Sequence, residues 1–108
     1  MNDTRRNIQI EEMLAHLAAD FLVREASNQS LITVTRAVLS TDSKQATIFI
    51  SVLPVSAERA ALAFTKRERS AFREYIKAKS AMQHIPTIDF EIDLGEKNRQ
   101  RIDELTRE

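Results

Sequence analysis

Basic side chains are concentrated in one glycine-free stretch of the chain, residues 57–84. This stretch carries seven lysine or arginine residues and three glutamates, a net charge of +4. Lysine and arginine bind the closely spaced phosphates of folded nucleic acid and release counterions as they do so. Cations spaced three and four residues apart can share one helical face, which would contact phosphates and shape rather than base sequence. The residues at these spacings are Lys66, Arg69, Arg73 and Lys77.

Four more cations adjoin this face, and together the eight form the predicted RNA-contact residues, here called the basic set. The sequence leaves two roles open for Arg36. It could guard an edge strand against aggregation, or it could extend the basic surface. The residues alone also fit an ordinary solvated helix, because lysine and arginine are good helix formers. The basic set is Lys66, Arg67, Arg69, Arg73, Lys77, Lys79, Arg36 and Lys44.

Three carboxylates, Asp89, Glu91 and Asp93, alternate along a predicted strand at intervals of about 7 Å. Such groups can serve acid–base catalysis or hold a hard cation. No histidine, serine or glycine motif accompanies them, so we expect a solvated outer face that repels phosphate and that RNA avoids. His16 and His84 offer too few ligands for a metal site. We therefore predict a protein without catalytic activity, metal or cofactor.

Composition excludes several classes of site. Gly95 is the only glycine, whereas Walker A loops, dinucleotide-binding loops and the GxxG clamp of ordinary KH domains each need at least two. The absence of cysteine excludes disulfides and thiolate chemistry. No apolar run reaches the roughly 20 residues of a membrane span, and the first residues do not resemble a signal peptide. We expect one cytoplasmic, monomeric domain covering residues 1–108.

Apolar periodicity predicts the elements that position these residues. The first strand should turn Ile32, Val34 and Val38 inward, and Arg36 interrupts this face, so we expect a bulge or an edge position there. Apolar periodicity fades through the polar residues 65–70, which predicts a break near residues 69–71. The resulting order, α-β-β-α-α-β-α, gives a hairpin and a third strand in one sheet backed by helices, a two-layer α+β fold. In chain order we predict a helix over 5–26, strands over 31–39 and 46–53, helical segments from 57 to about 83, a strand over 87–93 and a helix over 96–106.

The same order is that of a type II KH-like fold, and the sequence resembles the ribosome-binding factor A family over nearly its whole length. The segments that carry the resemblance are ITVTRAVLSTD at 32–42, QATIFISVL at 45–53, AFR at 71–73, IPTIDFEID at 85–93 and the Arg24-Glu25 pair. The family has an Ala-x-Gly motif at its helix kink, where this chain has Arg69-Ser70-Ala71. No counterpart of the family's extended tail is expected.

The resemblance implies a factor that binds 16S rRNA in the free, immature small (30S) ribosomal subunit and assists its maturation, with consequences for growth in the cold. It implies no membrane or DNA partner. An alternative stays open, since a fold does not dictate a function. The chain would then be a KH-like protein-interaction module that binds an acidic partner through the same cations and does not bind RNA.

Overall fold

One long helix, α1 (Asp3–Glu25), precedes the strands of the sheet. The computed structural model describes residues 3–25 and 30–99, so the predicted end of the first helix at residue 26 and residues 100–106 of the last predicted helix lie outside the described residues. Leu14, Phe21 and Leu22 of the predicted apolar stripe are buried. They face the sheet, as the 3.6-residue period of an amphipathic helix requires.

Strands β1 (Leu31–Leu39) and β2 (Gln45–Leu53) form the predicted antiparallel hairpin. A register shift between Val34 and Arg36 confirms the bulge. The extra residue reverses the faces beyond it: Val38 is exposed, and Ala37 and Leu39 are buried instead. The predicted inward position of Val38 was therefore wrong, because a bulge moves every later side chain to the opposite face.

The hairpin turn is closed by the side chains of Ser40 and Asp42. Ser40 Oγ donates to Asp42 Oδ1 at 2.6 Å, the Lys44 N–H donates to the same oxygen at 3.0 Å, and the Gln45 N–H donates to Ser40 Oγ at 3.0 Å. The hydrogen bonds from Ser40 and Lys44 lower the pKa of the Asp42 carboxyl. Ser43 adopts a positive φ of 61° within this turn. Short polar side chains of this kind are typical of tight turns.

Strand β3 (Thr87–Ile92) lies parallel to β2, and the strand order is β1-β2-β3. Ile48 and Ile50 of the central strand and Ile88 and Phe90 of β3 are all buried, as their alternation predicts. The parallel pairing requires the long crossover that joins Leu53 to Thr87.

The crossover contains a short 3₁₀ turn (Val55–Ala57), then α2 (Glu58–Arg67) and α3 (Arg69–Lys79). The helices break at Glu68, one residue before the predicted range. Glu68 has φ −91° and ψ 9°, a conformation open to any L-residue, so the break forms without the glycine of the family motif. Its N–H donates to Phe64 O and Thr65 O, both at 3.1 Å.

Helix α3 ends at Lys79, before the predicted end near residue 83. The Ser80 N–H makes the last helical hydrogen bond, to Ile76 O at 3.0 Å, and its backbone is already extended. The Ser80 hydroxyl donates to the same oxygen at 2.8 Å and accepts the Met82 N–H at 3.3 Å. A serine side chain that bonds nearby backbone competes with helix continuation. Residues 80–86 consequently run as a loop from the helix to β3.

The core lies between the helices and one face of the sheet. Phe72 lies at its centre, with ring centroids 5.3 Å from Phe21 of α1 and 5.9 Å from Phe90 of β3. At the edge of the hairpin, Glu11 of α1 accepts the N–H of Leu39 at 2.7 Å. The result is the predicted two-layer α+β arrangement, and the described helices leave the other face of the sheet uncovered.

A last helix, α4, begins at residue 94, two residues before the predicted start, and is described through residue 99. Gly95 lies within its first turn and has no positive φ. Lys97 Nζ donates to Glu58 Oε1 at 3.0 Å, which ties this helix to the start of α2.

Candidate nucleic-acid interface

Lys66 and Arg69, on either side of the helix break, are paired with carboxylates of β3. Lys66 Nζ lies 2.7 Å from Asp89 Oδ1 and 3.5 Å from Glu91 Oε2. Arg69 Nη1 lies 3.3 Å from the same Asp89 oxygen. Asp89 and Glu91 lie outward, 41% and 49% exposed, as expected. The sequence did not show that the crossover packs along β3 and brings the basic and acidic side chains together.

The contact between Lys66 and Asp89 shifts the pKa of both side chains. The hydrogen bond to Asp89 raises the pKa of Lys66 above its ordinary value, against a smaller opposing effect of burial. Partial burial alone would raise the pKa of Asp89, but the hydrogen bonds from Lys66 and from the Phe90 N–H, with the charges of Lys66 and Arg69, lower it overall. Both shifts favour the charged pair.

Arg73, one turn further along α3, contacts backbone rather than a carboxylate. Its Nε donates to Pro86 O at 3.3 Å, and its Nη2 donates to Ile85 O at 2.9 Å. The guanidinium thus ties α3 to the loop that leads into β3. Carbonyl oxygens are neutral partners, so the positive charge of Arg73 is not cancelled.

The three side chains follow β3 in order. As the crossover runs from Lys66 through Arg69 to Arg73, its contacts move from Glu91 through Asp89 to the residues that precede the strand. The spacing of three and four residues therefore does place these three cations along one line, in spite of the break at residue 68.

The remaining cations of α2 and α3 are exposed. Lys77 lies 3.6 Å from Glu74 in an i,i+3 pair whose side chains are 66% and 72% exposed, so solvent screens it strongly. Lys79 Nζ lies 5.8 Å from the centroid of the Tyr75 ring. Arg67 is exposed, and no carboxylate among the described residues pairs with it. Arg67, Lys77 and Lys79 are accordingly exposed cations whose charge is either unpaired with a described carboxylate or paired only across solvent.

Arg36 and Lys44 lie on the sheet, apart from each other. The Arg36 guanidinium lies 4.1 Å from the centroid of the Phe49 ring on the uncovered face, and its Nε lies 3.3 Å from Asp93 Oδ2. Its charge is therefore compensated. Lys44 is exposed at the start of β2, and its carbonyl accepts the Thr87 N–H at 2.9 Å. It consequently lies beside the end of β3 that Arg73 approaches.

Asp93, predicted on the outer face with Asp89, is buried and joins three elements. Its Oδ2 accepts from Thr35 Oγ1 at 2.5 Å and from Arg36 Nε at 3.3 Å, and its Oδ1 accepts the Glu96 N–H at 3.0 Å. The hydrogen bond from Thr35 is the largest cause of a lowered pKa at Asp93, and it outweighs the opposite effect of burial. The sequence does carry a signal, because an aspartate three residues before a glutamate marks a helix N-terminus.

Within residues 3–25 and 30–99, no three histidine or acidic side chains are grouped closely enough to hold a metal ion. None of the helices described there is long and apolar enough to cross a membrane. The arrangement can bind anions through exposed cations.

Comparison with known proteins gives consistent matches. The family model described as ribosome-binding factor A matches residues 5–106. A protein named ribosome-binding factor A from Thermobifida fusca is 31% identical over 108 residues, covering 97% of this chain and 72% of that protein.

Two sets of known coordinates share the fold. The crystal structure of ribosome-binding factor A from Thermus thermophilus superimposes with a TM-score of 0.71 at 18% identity, covering 80% of this chain and 94% of that one. A homology model of the Thermus thermophilus factor, fitted into a cryo-EM map of a complex of that factor with the 30S subunit, gives a TM-score of 0.67 at 18% identity, covering 75% and 88%. These likenesses confirm the KH-like α+β fold.

Proposed function

Because this chain belongs to the ribosome-binding factor A family, we propose that it is a ribosome biogenesis factor. It binds the immature small ribosomal subunit through 16S rRNA and assists its maturation. The proposal is supported by the related factor that has been fitted into a map of a 30S complex. On this proposal the chain acts as a cytoplasmic monomer on free 30S particles.

The observation that carries the proposal is the unequal compensation of the cations on α2 and α3. Arg67, Lys77 and Lys79 are exposed, and Arg73 donates to two neutral carbonyl oxygens. Net charge on the whole chain is zero. RNA binding therefore depends on where the charge lies, and these helices present a local excess of positive charge to phosphate.

The proposed action is steric and electrostatic, without turnover. The helices dock on the phosphates of a folded rRNA segment and hold its local conformation while the subunit matures. Lysine and arginine side chains on a pair of helices contact the RNA backbone and its shape, which carry little base information. Release of condensed counterions makes such binding strongly dependent on salt.

Charge reversal tests the surface directly. The triple variant Arg67→Glu, Lys77→Glu, Lys79→Glu should fold normally, because none of the three holds a buried contact, and should lose co-sedimentation with purified free small subunits. Arg73 is left intact, since its side chain also supports the fold. Thermal unfolding of the variant verifies that it is folded.

A matched control carries the same change in net charge elsewhere. The variant Arg5→Glu, Arg6→Glu, Arg99→Glu replaces three exposed cations that lie outside both the basic set and helices α2 and α3. It should keep most of the binding. Equal loss in both variants would show that only net charge matters, and full binding by the first would contradict the proposed surface.

Protein-interaction activity without RNA binding is the second candidate. It is favoured by an apolar pair at the far end of the hairpin, where Leu31 and Leu53 are register partners and are 62% and 51% exposed. Salt titration with a structured RNA separates the two functions. Steep loss of affinity with salt supports RNA binding, and no binding at low salt supports the protein partner.

A further inference from the structure

Two carboxylates of β3 lie where phosphates would have to bind if Lys66 and Arg69 contacted RNA. Asp89 Oδ1 accepts from Lys66 Nζ and Arg69 Nη1, and Glu91 approaches Lys66 from the next outward position of the strand. Alternate strand positions are about 7 Å apart. Lys66 and Arg69, one on each side of the helix break, are thus already supplied with anionic oxygens from the chain itself.

We infer that Asp89 and Glu91 are specificity-determining residues: they compete with phosphate for Lys66 and Arg69 and so restrict the basic surface to densely charged, folded RNA. This inference rests on the proposed RNA binding. A ligand that offers isolated charges, such as an acidic peptide, gains little by displacing carboxylates of equal charge. A folded RNA presents several phosphates at once and meets the exposed cations beside the pair as well.

The ion pairs of Lys66 and Arg69 are weak enough for phosphate to displace the carboxylates. The four side chains are between 33% and 49% exposed, so water and salt screen their attraction. The contrast is the Arg36–Asp93 pair, in which the Asp93 side chain is only 6% exposed and also accepts from Thr35 and the Glu96 N–H. That carboxylate is fixed by the fold, whereas Asp89 and Glu91 can release their partners without loss of buried contacts.

Removal of the two charges provides the test. The variant Asp89→Asn, Glu91→Gln should bind a generic structured RNA hairpin about tenfold more tightly at low salt, since each screened pair accounts for a few-fold. Two cations become free for phosphate, so the plot of log affinity against log salt should steepen by about 1.5. Fluorescence anisotropy at several salt concentrations measures both quantities, and co-sedimentation with free small subunits repeats the comparison.

Two further variants make the test specific. The pair Glu12→Gln, Asp20→Asn removes two exposed carboxylates on α1 and should leave the slope unchanged. The pair Lys66→Gln, Arg69→Gln should reduce wild-type affinity less than twofold but should abolish the gain of the Asp89→Asn, Glu91→Gln variant when the two are combined. This non-additivity identifies competition for the same two cations.

The outcomes separate the inference from the function on which it rests. Wild-type binding with no gain in the Asp89→Asn, Glu91→Gln variant overturns the inference and leaves the proposed function standing. An equal gain in the α1 control also overturns it, because net charge then suffices. A large loss from Lys66→Gln, Arg69→Gln in the wild type would overturn it as well. Failure of every variant to bind RNA or subunits overturns the proposed function, and the inference with it.

Discussion

Asp93 ends β3 and begins α4, and its carboxylate is the point where β1, β3 and α4 meet. A buried carboxylate that accepts three hydrogen bonds leaves its donors unsatisfied when it is altered. Asp93→Asn keeps the shape but replaces one acceptor oxygen by a donor. We expect a loss of about 2–3 kcal/mol in the free energy of unfolding, measured in urea at pH 7. Asp20→Asn, at an exposed position, should cost less than about 0.5 kcal/mol.

Lowering the pH should reduce the difference in the free energy of unfolding between the wild type and Asp93→Asn. The pKa of Asp93 is lowered from 3.8 in the folded protein, so ionised Asp93 stabilises the fold above that ordinary value. The contribution is lost as the pH falls through the lower folded-state pKa. The stability gap between the wild type and Asp93→Asn should therefore narrow below about pH 4. A gap that stays constant to about pH 2 would show that the charge of Asp93 is not the source.

Arg73 combines a positive charge with a structural contact, and two substitutions separate these properties. Arg73→Lys retains the charge but cannot reproduce the two-pronged contact with Ile85 O and Pro86 O. We expect it to lower the free energy of unfolding by about 1–2 kcal/mol while RNA affinity stays within about twofold. Arg73→Gln should lose both stability and affinity. Unchanged stability of Arg73→Lys would contradict the structural role.

The residue positions that sequence patterns predicted best are those whose side chains simply alternate. Ile48, Ile50, Ile88 and Phe90 face the core as period two requires. The environment of Asp93 was missed because alternation alone assigned it to the solvent face. Its burial depends on the bulged strand β1, where Thr35, 58 residues away in the chain, comes within 2.5 Å.

The break between helices α2 and α3 at Glu68 does not require glycine. Its φ of −91° is ordinary, so glycine there would add only freedom to the unfolded chain. We expect Glu68→Gly to lower the free energy of unfolding by about 0.5–1 kcal/mol relative to Glu68→Ala. Chemical denaturation of the two variants measures the difference. Greater stability of the glycine variant would show that the break is strained.

The ends of helices and strands could be predicted where the spacing of apolar residues determines them. They were harder to predict where a side chain forms hydrogen bonds with the nearby backbone. The hairpin, its bulge and the two-helix crossover follow from apolar spacing. The end of α3 was placed too late because Ser80 adopts an extended backbone, and its hydroxyl bonds Ile76 O and the Met82 N–H. The inward face of β1 beyond Arg36 was reversed, since one inserted residue changes the phase of all that follow.

Across the whole molecule, charges that are separated in sequence become neighbours. The chain is basic in the crossover and acidic after it, and the sequence suggested that RNA avoids the acidic strand. Parallel pairing of β2 with β3 instead lays the crossover helices along β3, and Lys66 meets Asp89 across 23 residues. Sequence patterns show each charge set, but the distance between them is a property of topology. The eight residues of the basic set therefore differ in availability, and their part in RNA binding stays a prediction.

The strand order also predicts that the three strands form and open at different stages. Strand β2 alone among the described strands has neighbours on both sides, one joined by a short turn and the other by the whole crossover. Its amides should exchange with deuterium most slowly, and those of β3 should open earlier, because closing the long loop costs chain entropy that only late contacts repay. Native-state exchange followed residue by residue measures this order. Strand β3, the edge that carries Asp89 and Glu91, would then be the last part of the sheet to form and the first to open. The strand that holds the paired carboxylates would thus also have the fastest local opening.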